Sequence, residues 1–300
     1  MSNKLLISTI CSGALLLTAC GGGGDNNQTS FDSKEKLDYK QLETTKVITE
    51  SVVNLSNESD NLLIYITILT KGIYDRAKNS DLSCETGSVK INNDNTVTLN
   101  NCKNFWIPSE GKKFAGTVSG TILSSASNTT SSEKIELKLS NININLDSAD
   151  QSIFFNGPIN YTSKAINNNL NSDLYEANQA AFKFIDKMDS KNYHQYALNN
   201  YQLISNYTKS TDSIENISKG QLNGEINGKV FSVNYSSNFK FSTVNDLYNL
   251  KPNSANIEII DLYNKQNTIS IDRATDGNAL VNTYAAGKLV QTFSQDWNEF

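Results

Sequence analysis

The chain has 300 residues, enough for two average domains or one large β domain, and enough to bury a sizeable core. Hydrophobic residues make up 38% and charged residues 19%, and 42 Asn with 35 Ser fill the gap. With 13 Tyr and 12 Phe available for a core, this composition folds rather than staying disordered. Lys plus Arg number 26 against 31 Asp plus Glu, a net charge of -5 without a dense basic run, so no nucleic-acid partner is expected. A single His removes most metal and triad chemistry.

The first twenty residues begin with Met-Ser-Asn-Lys, continue with the apolar run Leu5 to Leu17 and close on Leu17-Thr18-Ala19-Cys20, the parts of a secretory signal. Thirteen apolar-region residues are too few to span a bilayer as a helix. Leu-Thr-Ala-Cys in that place resembles the lipobox of bacterial lipoproteins. The resemblance implies removal of residues 1–19 and lipidation of Cys20, with Gly21 in place of an Asp favouring the outer membrane. Residues 20–31 carry four consecutive Gly and read as a tether from the membrane. Loss of Lys4 with the signal leaves 25 basic and 31 acidic residues, so the mature charge is -6.

From Asp32 the pattern turns helical. Asp32-Ser33-Lys34-Glu35 has the form of a capping box, and Leu37, Leu42, Val47, Ile48, Val52 and Leu55 fall roughly on one stripe, which predicts a helix over 33–56. Leu62, Ile66, Leu69 and Ile73 suit a second helix, although the β-branched run 64–70 would also suit a buried strand. Residues 32–80 are therefore expected to form a helical hairpin ahead of a β body over 81–300.

With Cys11 cleaved and Cys20 lipidated, Cys84 and Cys102 remain in an oxidising compartment. Between them lie two alternating segments, Val89/Ile91 and Val97/Leu99, separated by Asn92-Asn93-Asp94-Asn95, the pattern of a β-hairpin that a disulfide can close. A redox pair or half a metal site is the rival reading, against which stands the spacing, far from Cys-x-x-Cys.

Beyond Leu82 the apolar period is two. Ile135, Leu137 and Leu139 share one parity and Ile142, Ile144 and Leu146 the other, which places a bulge between Ser140 and Asn141. Further strands are expected at 116–122, 153–161, 221–226, 229–235, 239–243, 257–263, 268–272, 279–284 and 289–293, whereas 164–188 reads as the one later stretch that could be helical. A weak repeat runs through them. Leu99-Asn-Asn-Cys102, Leu139-Ser-Asn-Ile142 and Leu198-Asn-Asn-Tyr201 are each followed by a Gly-containing strand around Gly116/Gly120, Gly157 and Gly220/Gly224, as in successive hairpins of one meander, or by chance in an Asn-rich chain.

Taken together, the lipobox, the Gly tether, the Cys84 to Cys102 hairpin, the Gly116-x-Val118-x-Gly120 strand, the Asp272-x-x-x-Asp276-Gly277 tail and Trp297 resemble a loose group of uncharacterised Gram-negative lipoproteins. The architecture also resembles lipoprotein carriers whose open half-barrels hold acyl chains. Neither resemblance carries an activity to this chain.

Chemistry-bearing candidates are few. His194 lies in a polar-aromatic stretch without a Gly-x-Ser-x-Gly elbow and reads as a surface or strand-face residue. Asp272, Asp276 and Asn278 form a weak calcium candidate, set against the hairpin turn that Asp276-Gly277 suits. No other metal site, cofactor or catalytic residue is expected.

The fold class expected is α+β, mostly antiparallel β in a large curved meander or partly closed barrel with an N-terminal helical hairpin. A bent sheet should fill its concave side with its own Leu, Ile, Phe and Tyr and a helix. The expected role is a lipid-anchored, non-enzymatic binding or structural module at the periplasmic or outer face of the outer membrane, with an envelope protein or glycan as partner. The alternatives are a carrier of an apolar ligand in the concave sheet and a carboxylate-dependent glycan hydrolase.

Overall fold

A computed structural model describes residues 34–59, 61–107, 112–226 and 228–300. Two helices, α1 (Leu42–Ser56) and α2 (Leu62–Lys78), precede the strands β1 (Thr86–Ile91), β2 (Val97–Lys103), β3 (Trp106–Ile107), β4 (Lys112–Lys113), β5 (Gly116–Asn128), β6 (Ser132–Leu146), β7 (Gln151–Ala165), β8 (Leu170–Ala177) and β9 (Ala180–Asp186). There follow β10 (Tyr193–Thr208), β11 (Ser213–Ile226), β12 (Lys229–Phe241), the short helix α3 (Val244–Tyr248), β13 (Ser254–Asp261), β14 (Thr268–Arg273), β15 (Ala279–Ala285) and β16 (Lys288–Gln295). Apart from the β3–β4 pair, the strands form one 14-stranded antiparallel sheet in near-sequential order, in which β8 and β9 lie end to end between β7 and β10.

The sheet is built from alternating sequence, and alternation sets which face is dry. In β13 every second residue, Ala255, Ile257, Ile259 and Asp261, is buried and the residues between them are exposed. The buried face packs on the helices. Residues Ile48, Val52 and Leu55 of α1 and Leu63, Ile66 and Ile73 of α2 join Ile122, Phe155, Leu203, Leu222, Val233 and Ile257 in one core. Helix α2 touches β1, β2, β5 and β7, while α1 touches β11 and β12, and Thr45 Oγ1 reaches Thr283 Oγ1 of β15 at 3.1 Å. One helix pair thus meets strands from β1 to β15, so the sheet curves around it, as the sequence leads one to expect.

Curvature has a local cause. A row of register shifts crosses the sheet from β1 to β11: at Gly87, at Asn100-Asn101, at Gly120 against Asn141, at Asn156 against Ser140-Asn141, at Asn178-Gln179 between β8 and β9, and at Asn200-Tyr201 against Gly220. Asn101, Asn141, Gln179 and Asn200 there have φ of 48°, 53°, 58° and 51°. An extra residue in each such strand bends it and restores its apolar residues to the core side. The Leu-x-Asn-x repeat in the sequence is the trace of this row.

Three expectations are corrected. Residues 164–188 contain β8 and β9 rather than a helix; the buried residues Tyr175, Ala177, Ala180 and Phe182 have spacings of two, three and two, because the bulge at 178–179 inserts a residue and breaks the alternation that marks a strand. The first helix starts at Leu42 and not at 33. Lys34 to Leu37 are instead extended beside β12 where β13 has ended, with Leu37 N donating to Val230 O at 3.0 Å and Val230 N to Glu35 O at 2.9 Å. Residues 239–243 are not a separate strand: β12 runs unbroken from Lys229 to Phe241, and Thr243 caps α3 by accepting from Asp246 N at 3.1 Å.

Candidate functional site

Antiparallel order gives the body two ends. The near end holds the turns before β5, β7, β10, β12, β14 and β16 and receives the chain at Lys34; the far end holds α3, the β14–β15 turn and the C-terminus.

At the far end a cleft of 380 Å³ lies between the α3–β13 loop and the β14–β15 turn, lined by Asp246, Lys251, Arg273, Asp276, Asn278 and Asp296 among others. The sequence builds it from caps and turns. Asp276 Oδ1 accepts from Asn278 N at 3.0 Å, which closes the turn, and Gly277 supplies its φ of 95°. Trp297 Nε1 donates to Gly277 O at 3.1 Å while its ring packs edge-on against Phe239, so the C-terminal turn is pinned to the β14–β15 turn. Arg273 Nε donates to Pro252 O at 2.7 Å and joins the opposite wall. The volume is within the usual range for small-ligand sites, and the wall offers two cations and three carboxylates to a polar molecule.

The calcium candidate does not assemble. Asp272 lies in β14 with Oδ1 accepting from Asn256 Nδ2 at 2.8 Å, whereas Asp276 caps its own turn and Asn278 is its partner there. Among the described residues no three Asp, Glu, His or Cys side chains group as for a metal ion. The hairpin reading of Asp276-Gly277 holds instead, as Arg273 pairs with Ala279 across the turn.

His194 stands at the near end of β10, half-buried, in register with Phe184 of β9 and Ile226 of β11. Removal from water lowers its imidazole below the ordinary value. On the opposite face at that level, Glu225 is buried and held by Lys34 and by Gln195 Nε2, and burial lowers the nearby Lys183 ammonium against the pull of Glu225.

A polar cluster under the α1–α2 loop escapes sequence reading. Glu58 Oε2 accepts from Ser205 Oγ at 2.6 Å, and burial, opposed by this bond, raises the carboxyl. Asp173, in register with Ser205 and Ser163, adds its charge to that rise and has Oδ1 buried without a partner. These groups come from four separate elements, so no local spacing signals them.

The remaining predicted positions divide. Cys84 and Cys102 are disulfide-bonded across β1 and β2 with Cα atoms 5.1 Å apart. Cys20, the signal and the tether lie outside the described residues. Comparison of the chain with protein-family models, with curated proteins and with solved structures finds no match.

Proposed function

We propose that this protein is an outer-membrane lipoprotein, held through lipid on Cys20, whose body is a non-enzymatic binding or structural module. The anchor rests on Leu17-Thr18-Ala19-Cys20 after its apolar run. The observation that supports the module is the occupancy of the inner face of the sheet by α1 and α2, with Ile48, Val52, Leu63 and Ile66 fully buried against it. An apolar ligand in that face would compete with the protein's own side chains, which makes the carrier the weaker alternative. Hydrolysis finds less support too, because two of the three cleft carboxylates, Asp276 and Asp296, are engaged in capping Asn278 and Asn298. Contact with an envelope protein or glycan then falls to exposed surface, with the far-end cleft as the concave part of it.

The test has two arms. Metabolic labelling with a radioactive fatty acid should mark the wild-type chain and not Cys20→Ser; equal labelling of both rules out the anchor. Mass spectrometry of material that co-purifies with the wild-type chain from detergent should find a polar glycan or an envelope protein. A stoichiometric acyl lipid other than the anchor would instead establish the carrier.

A further inference from the structure

We propose that the near end of the body, carrying Trp106, Met188 and Leu289, rests on the bilayer to which the chain is anchored, so that the far-end cleft points away from the lipid. This orientation relies on the anchor at Cys20 proposed above.

Lys34 pairs with Glu225, Glu35 with Lys229 at 2.7 Å, and Lys36 lies over the Tyr263 ring at 4.3 Å from its centroid. The segment runs parallel to β12 from the end where β12 begins. Entry is therefore fixed at the near end by contacts on three successive residues. From Cys20 to Ser33 the chain has 14 residues, which span at most about 50 Å when fully extended. Strand β10, with 16 residues, is itself about 50 Å long. Laying the far end on the membrane would draw the tether out to its limit along the flank of the body, whereas the near end needs almost none of that length.

Side-chain chemistry at the near end suits a lipid interface. Met188, in the β9–β10 turn, is 94% exposed, Leu289 at the start of β16 is 55% exposed and Trp106 of β3 is 50% exposed. Lys187, Lys191, Lys265 and Lys288 are exposed in the same turns or beside them. Trp and long apolar side chains entering the headgroup layer, with Lys stems reaching back to phosphates, are the usual means by which a surface meets lipid. Asp186 and Asp189, in the same turn as Met188, accept backbone N–H groups of that turn. Exposed apolar residues occur at the far end as well, Tyr248 at 70% and Ile166 at 54%, so exposure does not choose between the ends. The tether does.

The chain's two Trp residues make the test direct, since Trp106 is at the near end and Trp297 at the far end. Mature lipidated protein is reconstituted into phosphatidylethanolamine–phosphatidylglycerol vesicles with and without dibrominated acyl chains. Wild type should lose emission to the brominated lipid, and Trp106→Phe, which leaves Trp297, should not. Two further variants in the Trp106→Phe background, Met188→Trp and Tyr248→Trp, alter exposed positions only; the first should be quenched and blue-shifted and the second unaffected. Protein that floats with the vesicles yet shows Trp106 unquenched, or Tyr248→Trp quenched in place of Met188→Trp, overturns the orientation alone. A wild-type chain that does not float overturns the anchor and the orientation with it.

Discussion

The backbone N–H of Asn141 donates to Oδ1 of Asn156 on the neighbouring strand at 2.6 Å. Asn141 is the extra residue of a bulge, with φ of 53°, so its N–H is lost to the ladder and a side chain takes the place of the missing carbonyl. The same substitution recurs along the row: Asn101 N donates to Ser119 Oγ at 3.0 Å and Asn200 N to Asn178 Oδ1 at 3.2 Å. Short polar side chains thus act twice. Asn tolerates the left-handed backbone at the bulge, and Asn or Ser beside it satisfies the orphaned donor. Part of the high Asn and Ser content has this structural use.

Gly120 shows how tightly the row is built. Its φ is 123°, and a Cβ there would lie 2.6 Å from Asn141 O and 2.8 Å from Ile142 Cα, both backbone atoms. Gly120→Ala should therefore lose at least about 2 kcal/mol of stability in urea denaturation. Gly72 in α2 is the control: a Cβ there meets nothing within 4 Å, and Gly72→Ala should gain about 0.5–1 kcal/mol. Equal effects of the two substitutions would mean that the bulge row does not constrain the sheet.

The Cys84–Cys102 bond closes the β1–β2 hairpin at the sheet edge, where β1 has β2 as its sheet neighbour. Replacement of both by Ser should cost about 3 kcal/mol in the loop-entropy account. Hydrogen exchange should rise first in Ser88 to Ile91 and leave β11 and β12 protected. Uniform loss of protection would place the bond in the central fold rather than at its edge.

Legibility in the sequence followed the range of the interactions. The Ser140/Asn141 bulge, the β1–β2 hairpin and the second helix were visible because parity, turn residues and helical spacing are local. The helix start at Leu42 was hidden because Lys34 and Glu35, which read as part of a capping box, are used by Glu225 and Lys229, roughly two hundred residues away. Residues 164–188 misled for the opposite reason: one inserted residue between Ala177 and Ala180 interrupts the alternation by which a strand is recognised. Of the far-end site, only the Asp276-Gly277 turn could be read; its other wall, Asp246 to Asn253, comes from α3 and the loop after it, which carry no periodicity.

His194 gives a clean pH measurement because it is the chain's one imidazole. Burial lowers its folded-state value while the unfolded chain keeps the ordinary value near 6.5. Below that pH the unfolded state binds more protons, so stability falls as pH drops from about 6.5 through the folded-state value, and is unaffected by this group above it. The single imidazole resonance should titrate below about 6.5. In His194→Gln the slope of stability against pH in that window should flatten. A midpoint above the ordinary value, or an unchanged slope, would contradict the burial of this side chain.

Asn61 and Tyr201 tie the helix pair to the sheet, and their contributions to stability are coupled. Asn61 caps α2 by accepting from Leu63 N at 3.0 Å, and its Nδ2 donates to Leu55 O at 3.0 Å and to Tyr201 Oη at 3.0 Å. Tyr201, at the bulge of β10, donates its own hydroxyl to Leu55 O at 3.0 Å, and Ser218 Oγ adds a bond to the same carbonyl at 3.3 Å. The C-terminal turn of α1, the start of α2 and two strands thus meet at one buried acceptor. Tyr201→Phe keeps the ring and removes one donor, for a cost of about 1–2 kcal/mol, because Asn61 and Ser218 still serve Leu55 O. Asn61→Ala loses the cap and two buried bonds and should cost about 2–4 kcal/mol. The double variant should fall short of the sum, since the Asn61–Tyr201 bond is removed by either change alone. Urea midpoints with an unchanged m-value measure all three. Strict additivity would show that the two side chains do not interact.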